Sequence, residues 1–301
     1  MFTLKLSDLS PAELQEYLQY AIAPRPICLA STIDKDGNVN LSPFSFFNLF
    51  SISPPICVFS PSRRVRDNTT KHTLENIKEV PECVINLVNF DIVQQTSLSS
   101  TEYPRGMNEF VKSGLTPIIS ELVKPPRVAE SPVQLECFVN QIISLGNTAG
   151  SGNLILAEIK IMHINPSILD AEKKIDQEKI DLVARLGGDW YCRVTKENLF
   201  KISKPNKKIG IGVDSLPRSI RESSIFTGND LGQLGNIDAL PNETSINQYA
   251  QQNADLQNLI IATRSDSKLR RDSLHLLAKS LLKLGKVSEA WMTLLADDET
   301  T

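Results

Sequence analysis

The stretch NLSPFSFFN, Asn40 to Asn48, decides how the first half of the chain is read. A half-buried strand alternates apolar and polar residues, so that one face packs and the other meets water. Here Ser42, Phe44, Phe46 and Asn48 share one face, while Leu41, Pro43, Ser45 and Phe47 share the other. Both faces mix aromatic rings with hydrogen-bonding groups. Such a surface suits a strand buried on both sides, or a wall for a flat ligand with a polar edge.

Working outward, ICLASTI and NVNLSPFSFFNLFS flank Asp34-Lys35-Asp36-Gly37, whose Asp-Gly pair signals a hairpin turn. PPICVFS and ECVINLVNF read as further strands, and GNTAGSG joins two long β-rich runs, VQLECFVNQIISL and NLILAEIKIMHI. Ser10, Pro11 and Glu13 form a helix-start signature that predicts a short helix through about Tyr20. KHTLENIKEV and DIVQQTSLSS read as short helices between strands. Regular strand-helix-strand alternation is absent, so a mainly β, antiparallel barrel with helical insertions is expected, not a doubly wound parallel sheet.

Composition is that of an ordinary folded protein, with 41% hydrophobic and 22% charged residues in 301. A formal net charge of -3 argues against nucleic-acid or anionic-membrane partners. No apolar run reaches membrane-spanning length, and MFTLKLSDLS lacks the basic-then-apolar layout of a secretory leader. The five cysteines are an odd number, widely spaced and without a CxxC pair. They are expected to be buried, reduced thiols of a cytoplasmic protein.

Composition shifts after Lys204. Residues 205–242, rich in Gly, Pro, Ser and Asn, read as an irregular linker or wrapping segment, and 243–301 as a helical extension. There Leu274, Leu277, Leu281 and Leu284 make an apolar stripe that Gly285 breaks, and Ala290, Trp291, Leu294 and Leu295 make a second. This predicts a helical hairpin, and LGKVSEAW resembles one tetratricopeptide-type unit.

GxSxG, HExxH and phosphate-loop signatures are missing, and GIGVD lacks the third glycine of a dinucleotide fingerprint. The isolated His163 and His275 read as structural. Short polar groups instead crowd the strand ends between Arg25 and Asn76: Ser31, Thr32, Asn40, Ser42, Ser45, Asn48 and Ser60. A cationic loop with Arg63, Arg64 and Arg66 then leads to Lys71, Thr73 and Asn76 at a helix start. Free N–H groups and the positive dipole end of a helix favour a bound anion, and a lysine and a hydroxyl there complete a phosphate site. On pattern alone an ordinary exposed helix start is the better explanation of Lys71 and Thr73.

From about Ile22 to Phe200, the ordered set APRPI, STIDKDGNVNLSPFSFFN, PPICVFS, KHTLENI, CVINLV, YPRGMNEF, VKPPRVAESPVQLEC and RLGGDWY resembles the flavin reductase-like family, with its FMN-binding split barrel. The resemblance implies FMN lying along the strands after Arg25, with Ser31 and Thr32 at the ring edge. Asn40, Ser42, Ser45, Phe46 and Asn48 would contact the flavin, Ser60, Lys71 and Thr73 would hold its phosphate, and Asn76 would support that turn. It further implies NAD(P)H as hydride donor, no catalytic acid or base, and a monooxygenase or other electron acceptor downstream. A homodimer is implied too, with Tyr103 to Gly106 near the partner's flavin. An FMN-binding electron carrier without NAD(P)H oxidation is the alternative, and a scaffold that has lost its flavin a third reading. The chain departs from the family in carrying Lys71-His72-Thr73 where KDT is usual. Its SRRVRDNTT segment is also unusually basic, which suits the 2′-phosphate of NADPH, the FMN phosphate, or neither.

Overall fold

The computed structural model describes residues 1–202, 204 and 209–296, in two compact units, Met1–Phe200 and Lys201–Thr301. In the first unit, helix α1 (Pro11–Ala21) starts in a capping box: Glu13 N donates to Ser10 Oγ (3.3 Å) and Ser10 N to Glu13 Oε2 (2.8 Å). Strands β1 (Arg25–Pro26), β2 (Cys28–Ile33), β3 (Val39–Phe44), β4 (Phe47–Ile52) and β5 (Pro55–Phe59) follow. Next come α2 (His72–Glu79), β6 (Glu82–Leu87), α3 (Val93–Leu98), α4 (Glu109–Ser113), β7 (Pro117–Ile118) and β8 (Arg127–Val128). The long strands β9 (Val133–Ser144) and β10 (Asn153–Ile164) and the short β11 (Val183–Arg185) and β12 (Tyr191–Arg193) complete the unit.

Seven strands form one antiparallel sheet in the order β3-β2-β6-β9-β10-β5-β4. The opening stretch is therefore two strands, not one. β3 and β4 are consecutive in sequence, separated by Ser45 and Phe46 alone, yet they occupy opposite edges of the sheet. Six interstrand spacings of about 4.8 Å would put those edges about 29 Å apart in a flat sheet. The three steps from Phe44 to Phe47 span at most about 11 Å. The sheet must curl until its edges meet at this link, which makes it a barrel with a seam. Pro43 is tolerated because β3 is an edge strand and its missing N–H interrupts no inner ladder.

The hairpin before the seam forms as its sequence predicts. Asp34 Oδ1 accepts from Asp36 N and Asn38 N (3.0 and 2.8 Å), and Gly37 adopts a left-handed φ of 86°. β2 is buried on both faces: Cys28 and Ala30 join one core with Cys57, Phe59, Cys83, Cys137 and Ala157, and Leu29 joins a second with Leu41, Ile92, Phe110 and Val183. Four free cysteines are fully buried, and Cys83 stands directly opposite Cys137 across β6 and β9. Hydrogen bonding to Cys57 and Cys83, together with burial, holds the Cys137 thiol well above its usual range.

The second unit contains α5 (Arg218–Arg221), α6 (Gly228–Gly235), α7 (Glu243–Gln252), α8 (Ala254–Ala262), α9 (Ser267–Lys283) and α10 (Val287–Leu294). Residues 209–242 are more ordered than their Gly, Pro, Ser and Asn content suggests. A Thr227–Asp230 capping box starts α6, and Leu216, Ile220, Phe226 and Leu234 share a core with Ala278, Leu282 and Trp291. Trp291 Nε1 donates to Leu234 O (3.0 Å). Gly285, with φ 72°, follows the C-terminal end of α9, but Leu284 points out of the core and is 72% exposed. The inward stripe runs through Leu274, Ala278 and Leu282 instead. Pro205 to Lys208 lie outside the described residues.

The isolated His163 has a partner in Glu136, a fully buried carboxylate on β9. Glu136 accepts from Glu121 N (2.8 Å), Leu122 N (2.6 Å) and Val123 N (3.2 Å), and lies 2.8 Å from His163 Nε2. Burial pushes this carboxyl up, but those N–H groups outweigh it and hold it below its ordinary value of 4.5. A carboxylate depressed in the folded state contributes stability that is present above its unfolded value and lost as pH falls through the folded one. Glu136→Gln, which sets an amide N–H against these donors, is expected to cost about 1–3 kcal/mol by denaturant melts near neutral pH, and less below pH about 4.

Candidate functional site

A cavity of about 870 Å³ opens where the seam meets the loops around it. Pro43 and Phe44 at the end of β3, with Ser45 and Phe46 of the link, form one part of its lining. Ser60, Ser62, Arg63, Arg64, Val65 and Lys71 form another, and the β9–β10 turn adds Thr148 to Ser151. Helix α1 contributes Leu14, Leu18 and Ile22, and Arg25 also lines the space.

The basic loop is held in shape by its own charges. Arg63 donates to Asn68 Oδ1 and Asn68 O (both 2.6 Å), which fits the left-handed φ of 56° at Asn68. Arg64 donates to Glu102 Oε1 (3.0 Å), Thr69 Oγ1 (2.8 Å) and Thr70 O (2.6 Å). Arg66 lies outside the cavity lining, paired with Asp67 and Glu102. Backbone bonds from Arg63 N to Ser151 O (2.8 Å) and from Gly150 N to Arg63 O (3.2 Å) tie the loop to the β9–β10 turn.

Lys71 is the exception. It sits at the N-cap of α2, its Nζ 5.5 Å from the centroid of the Phe44 ring, and it has no hydrogen-bond or ion-pair partner among the described residues. Burial, with Arg64 adding to it, holds this ammonium below its usual range, opposed by Glu102. A desolvated cation without a counter-ion is an unfavourable arrangement that a bound anion would relieve.

Behind Lys71 runs a buried polar network. Thr73 Oγ1 donates to Asn40 Oδ1 (2.8 Å), Asn40 Nδ2 donates to Glu109 Oε1 (2.9 Å), and Leu41 N donates to Glu109 Oε2 (2.9 Å). Asn76 Nδ2 donates to Thr32 Oγ1 (3.3 Å). These bonds fix the first turn of α2 to β2, β3 and α4. Glu109 is 4% exposed, and burial raises its carboxyl above the ordinary range against the pull of the Leu41 and Asn40 donors. No local sequence pattern marks Glu109, whose role depends on a contact 69 residues away.

The expected site residues thus separate into groups. Arg25, Ser45, Phe46, Ser60 and Lys71 line the cavity. Asn40, Thr32, Thr73 and Asn76 turn their side chains into the network behind it. Ser31 is fully buried with an unpartnered Oγ, and Ser42 is half-buried outside the cavity lining. Asn48 is exposed on β4 and accepts from Leu49 N (2.8 Å). Arg25 anchors α1: its Nη groups donate to Gln19 O (2.6 Å), Ile22 O (2.7 Å) and Leu186 O (2.8 Å). Arg105, in the Tyr103 to Gly106 turn, faces Glu79 (3.4 Å), Asp34 (3.9 Å) and Glu75 (4.0 Å). Among the described residues no group of three or more His, Cys, Asp or Glu could hold a metal ion, and no helix is long and apolar enough to cross a membrane.

Comparison with known proteins places this architecture. Residues 20–176 match the family model described as the flavin reductase like domain. An uncharacterised protein of Aquifex aeolicus is 36% identical over 181 residues, 60% of this chain and 90% of that protein. The 2-nitrobenzoate 2-nitroreductase of Pseudomonas fluorescens is 25% identical with a TM-score of 0.61, over 68% of this chain and 98% of that one. A Shewanella frigidimarina protein assigned to flavin reductases with a split barrel domain is 26% identical with a TM-score of 0.58, over 68% of this chain and 99% of that one. About a third of this chain has no counterpart in these proteins. The chain belongs to the flavin reductase-like family, and its barrel with a seam is that family's split barrel.

Proposed function

We propose that the seam cavity binds FMN and that the protein is an FMN-dependent oxidoreductase of the flavin reductase type, with NAD(P)H as hydride donor. The observation that carries this reading is Lys71, a partly desolvated cation without a hydrogen-bond or ion-pair partner among the described residues, on a cavity wall beside an aromatic seam. The chain's residues fit the group: the Ser45 and Ser62 hydroxyls have no hydrogen-bond partner among the described residues, and both line the cavity. Lys71 would pair with the phosphate, while the first turn of α2, set by the Thr73–Asn40–Glu109 network, offers N–H groups beside it. Phe46, Pro43 and the Ser45 segment would wall the ring. Bound flavin supplies the hydride and electron chemistry, so the protein needs no acid or base of its own. The chain's work is to hold the ring, keep water from it and leave one face open to a second substrate.

Two further features belong to the proposal. Leu49, Phe50 and Ile52, 51, 70 and 77% exposed on the edge strand β4, suit a homodimer interface. The free, buried thiols suit a reducing, cytoplasmic setting, where reduced flavin or its electrons would pass to a monooxygenase or another acceptor.

Three outcomes test the reading. Lys71→Ala should weaken FMN binding by about 1–3 kcal/mol in a fluorescence titration, and unchanged affinity removes the lysine from the site. Glu109→Gln exchanges an acceptor for a donor against Asn40 or Leu41; it should lower the melting temperature and loosen FMN, with a loss of about 1–3 kcal/mol in stability. Anaerobic NADH or NADPH should bleach the visible absorbance of the bound flavin. A flavin that stays oxidised with both assigns the protein to the electron carriers instead.

A further inference from the structure

Helix α1 is fastened to the barrel at its C-terminal end. Arg25 Nη1 donates to Gln19 O (2.6 Å) and Ile22 O (2.7 Å), where the helix runs out of intrahelical donors. Its Nη2 donates to Leu186 O (2.8 Å), just past β11, so one guanidinium bridges the helix and the β11–β12 turn. Tyr20 adds to this latch. It lies so close to Gly187 and Gly188 of the same turn that a Cβ on either would collide with its side chain. Toward its N-terminal end α1 has no such hold. Among the described residues no hydrogen bond or ion pair joins residues 1–18 to the chain beyond Ile22, and no residue of the helix is buried.

The helix is nonetheless a wall of the seam cavity. Leu14 and Leu18, one turn apart and ahead of the latch, line the same space as Lys71. A helix of 11 residues that buries none of them is marginal in water. A ligand held on Lys71 supplies the apolar contact that the barrel does not, because covering Leu14 and Leu18 removes their surface from water. Arg25 keeps its charge, since its three acceptors are backbone carbonyls, but it offers a ligand little surface. The residue is 7% exposed, and its Nε is buried without a partner.

We propose that Arg25 is a positioning residue that acts on the flavin through α1. The helix is a cover pinned at Arg25, whose N-terminal end lifts to admit FMN and closes Leu14 and Leu18 over it. This cover rests on the reading of the cavity as an FMN site. Elements with little buried surface are the ones that open locally, and closure keeps water from the ring.

Hydrogen exchange on the full chain tests the cover without any substitution. The amides of α1 should exchange at least about tenfold more slowly with saturating FMN than without it. Arg25→Lys then separates position from charge, because it keeps the cation and loses the planar fork that bridges three carbonyls. It should speed FMN release about fivefold or more in stopped flow and open the bound flavin to quenching by acrylamide. It should also remove the FMN-dependent protection of α1, while the amides of β2 and β6 keep theirs. An Arg25→Lys protein that retains FMN as the unmodified chain does leaves charge as the residue's only role, and overturns the positioning role. Loss of β2 and β6 protection along with that of α1 makes Arg25 a support of the whole barrel, and also overturns it. Exchange in α1 that FMN leaves unchanged overturns the cover while the FMN site stands. Protection of α1 that rises with protein concentration in the absence of FMN shows that a second copy covers the helix, which overturns it too. A chain that binds no FMN at all removes the FMN site and the cover together.

Discussion

The two residues Ser45 and Phe46 join the outermost strands of a seven-stranded sheet, and the rest of the first unit depends on that short connection. A flat sheet cannot satisfy it, so the sheet curls and its two edges meet without a ladder between them. The link then lies at the rim of the barrel. Phe44, just before it, is buried in the barrel core, and Phe46, within it, is left half in water. The mixture of rings and hydroxyls from Asn40 to Asn48 follows from the chain passing from one edge to the other. The cavity is the space that this closure leaves.

Most of the arginine hydrogen bonding around the cavity is used within the protein. The arginines of the 61–70 loop are turned to carbonyls, amides, Asp67 and Glu102, so a segment that reads as a broad basic patch is largely hydrogen-bonded to itself. Exposed pairs of this kind add little stability one by one. Their effect here is geometric, since they fix the loop that delivers Lys71 to the rim. The buried chain from Glu109 through Asn40 to Thr73 fixes the same point from behind. Among the described residues lining the cavity, Lys71 is left as the cation with neither a hydrogen-bond acceptor nor an ion-pair partner.

Much of this was legible in local patterns. The Ser10–Glu13 capping box, the Asp34–Gly37 turn and the break at Gly285 are each encoded within a few residues, and each forms as read. The antiparallel barrel class followed from the spacing of strands and turns. The site residues were legible as a neighbourhood rather than as roles. Short polar side chains at strand ends look alike in sequence, and only the fold decides that Ser45 and Ser60 line the cavity while Asn40 and Thr73 bond behind it. Long-range partners carry no local mark, so Glu109 and the α1 wall were missed. The single strand expected through NVNLSPFSFFNLFS breaks at Ser45 and Phe46, because period-2 patterning cannot show a change of sheet edge. Leu284 fell outside its expected stripe because the inward face of α9 runs through Leu274, Ala278 and Leu282, one register to the side.

The most direct test of the central claim, that the seam is a flavin phosphate site, compares FMN with riboflavin on the unmodified protein by quenching of flavin fluorescence. The two ligands share the ring and differ in the phosphate that Lys71 and the α2 N-terminus would meet. Saturable FMN binding, about tenfold or more tighter than riboflavin and weakening with added salt, is the result the structure predicts. Equal affinity for the two, or no saturable binding of FMN, would contradict it.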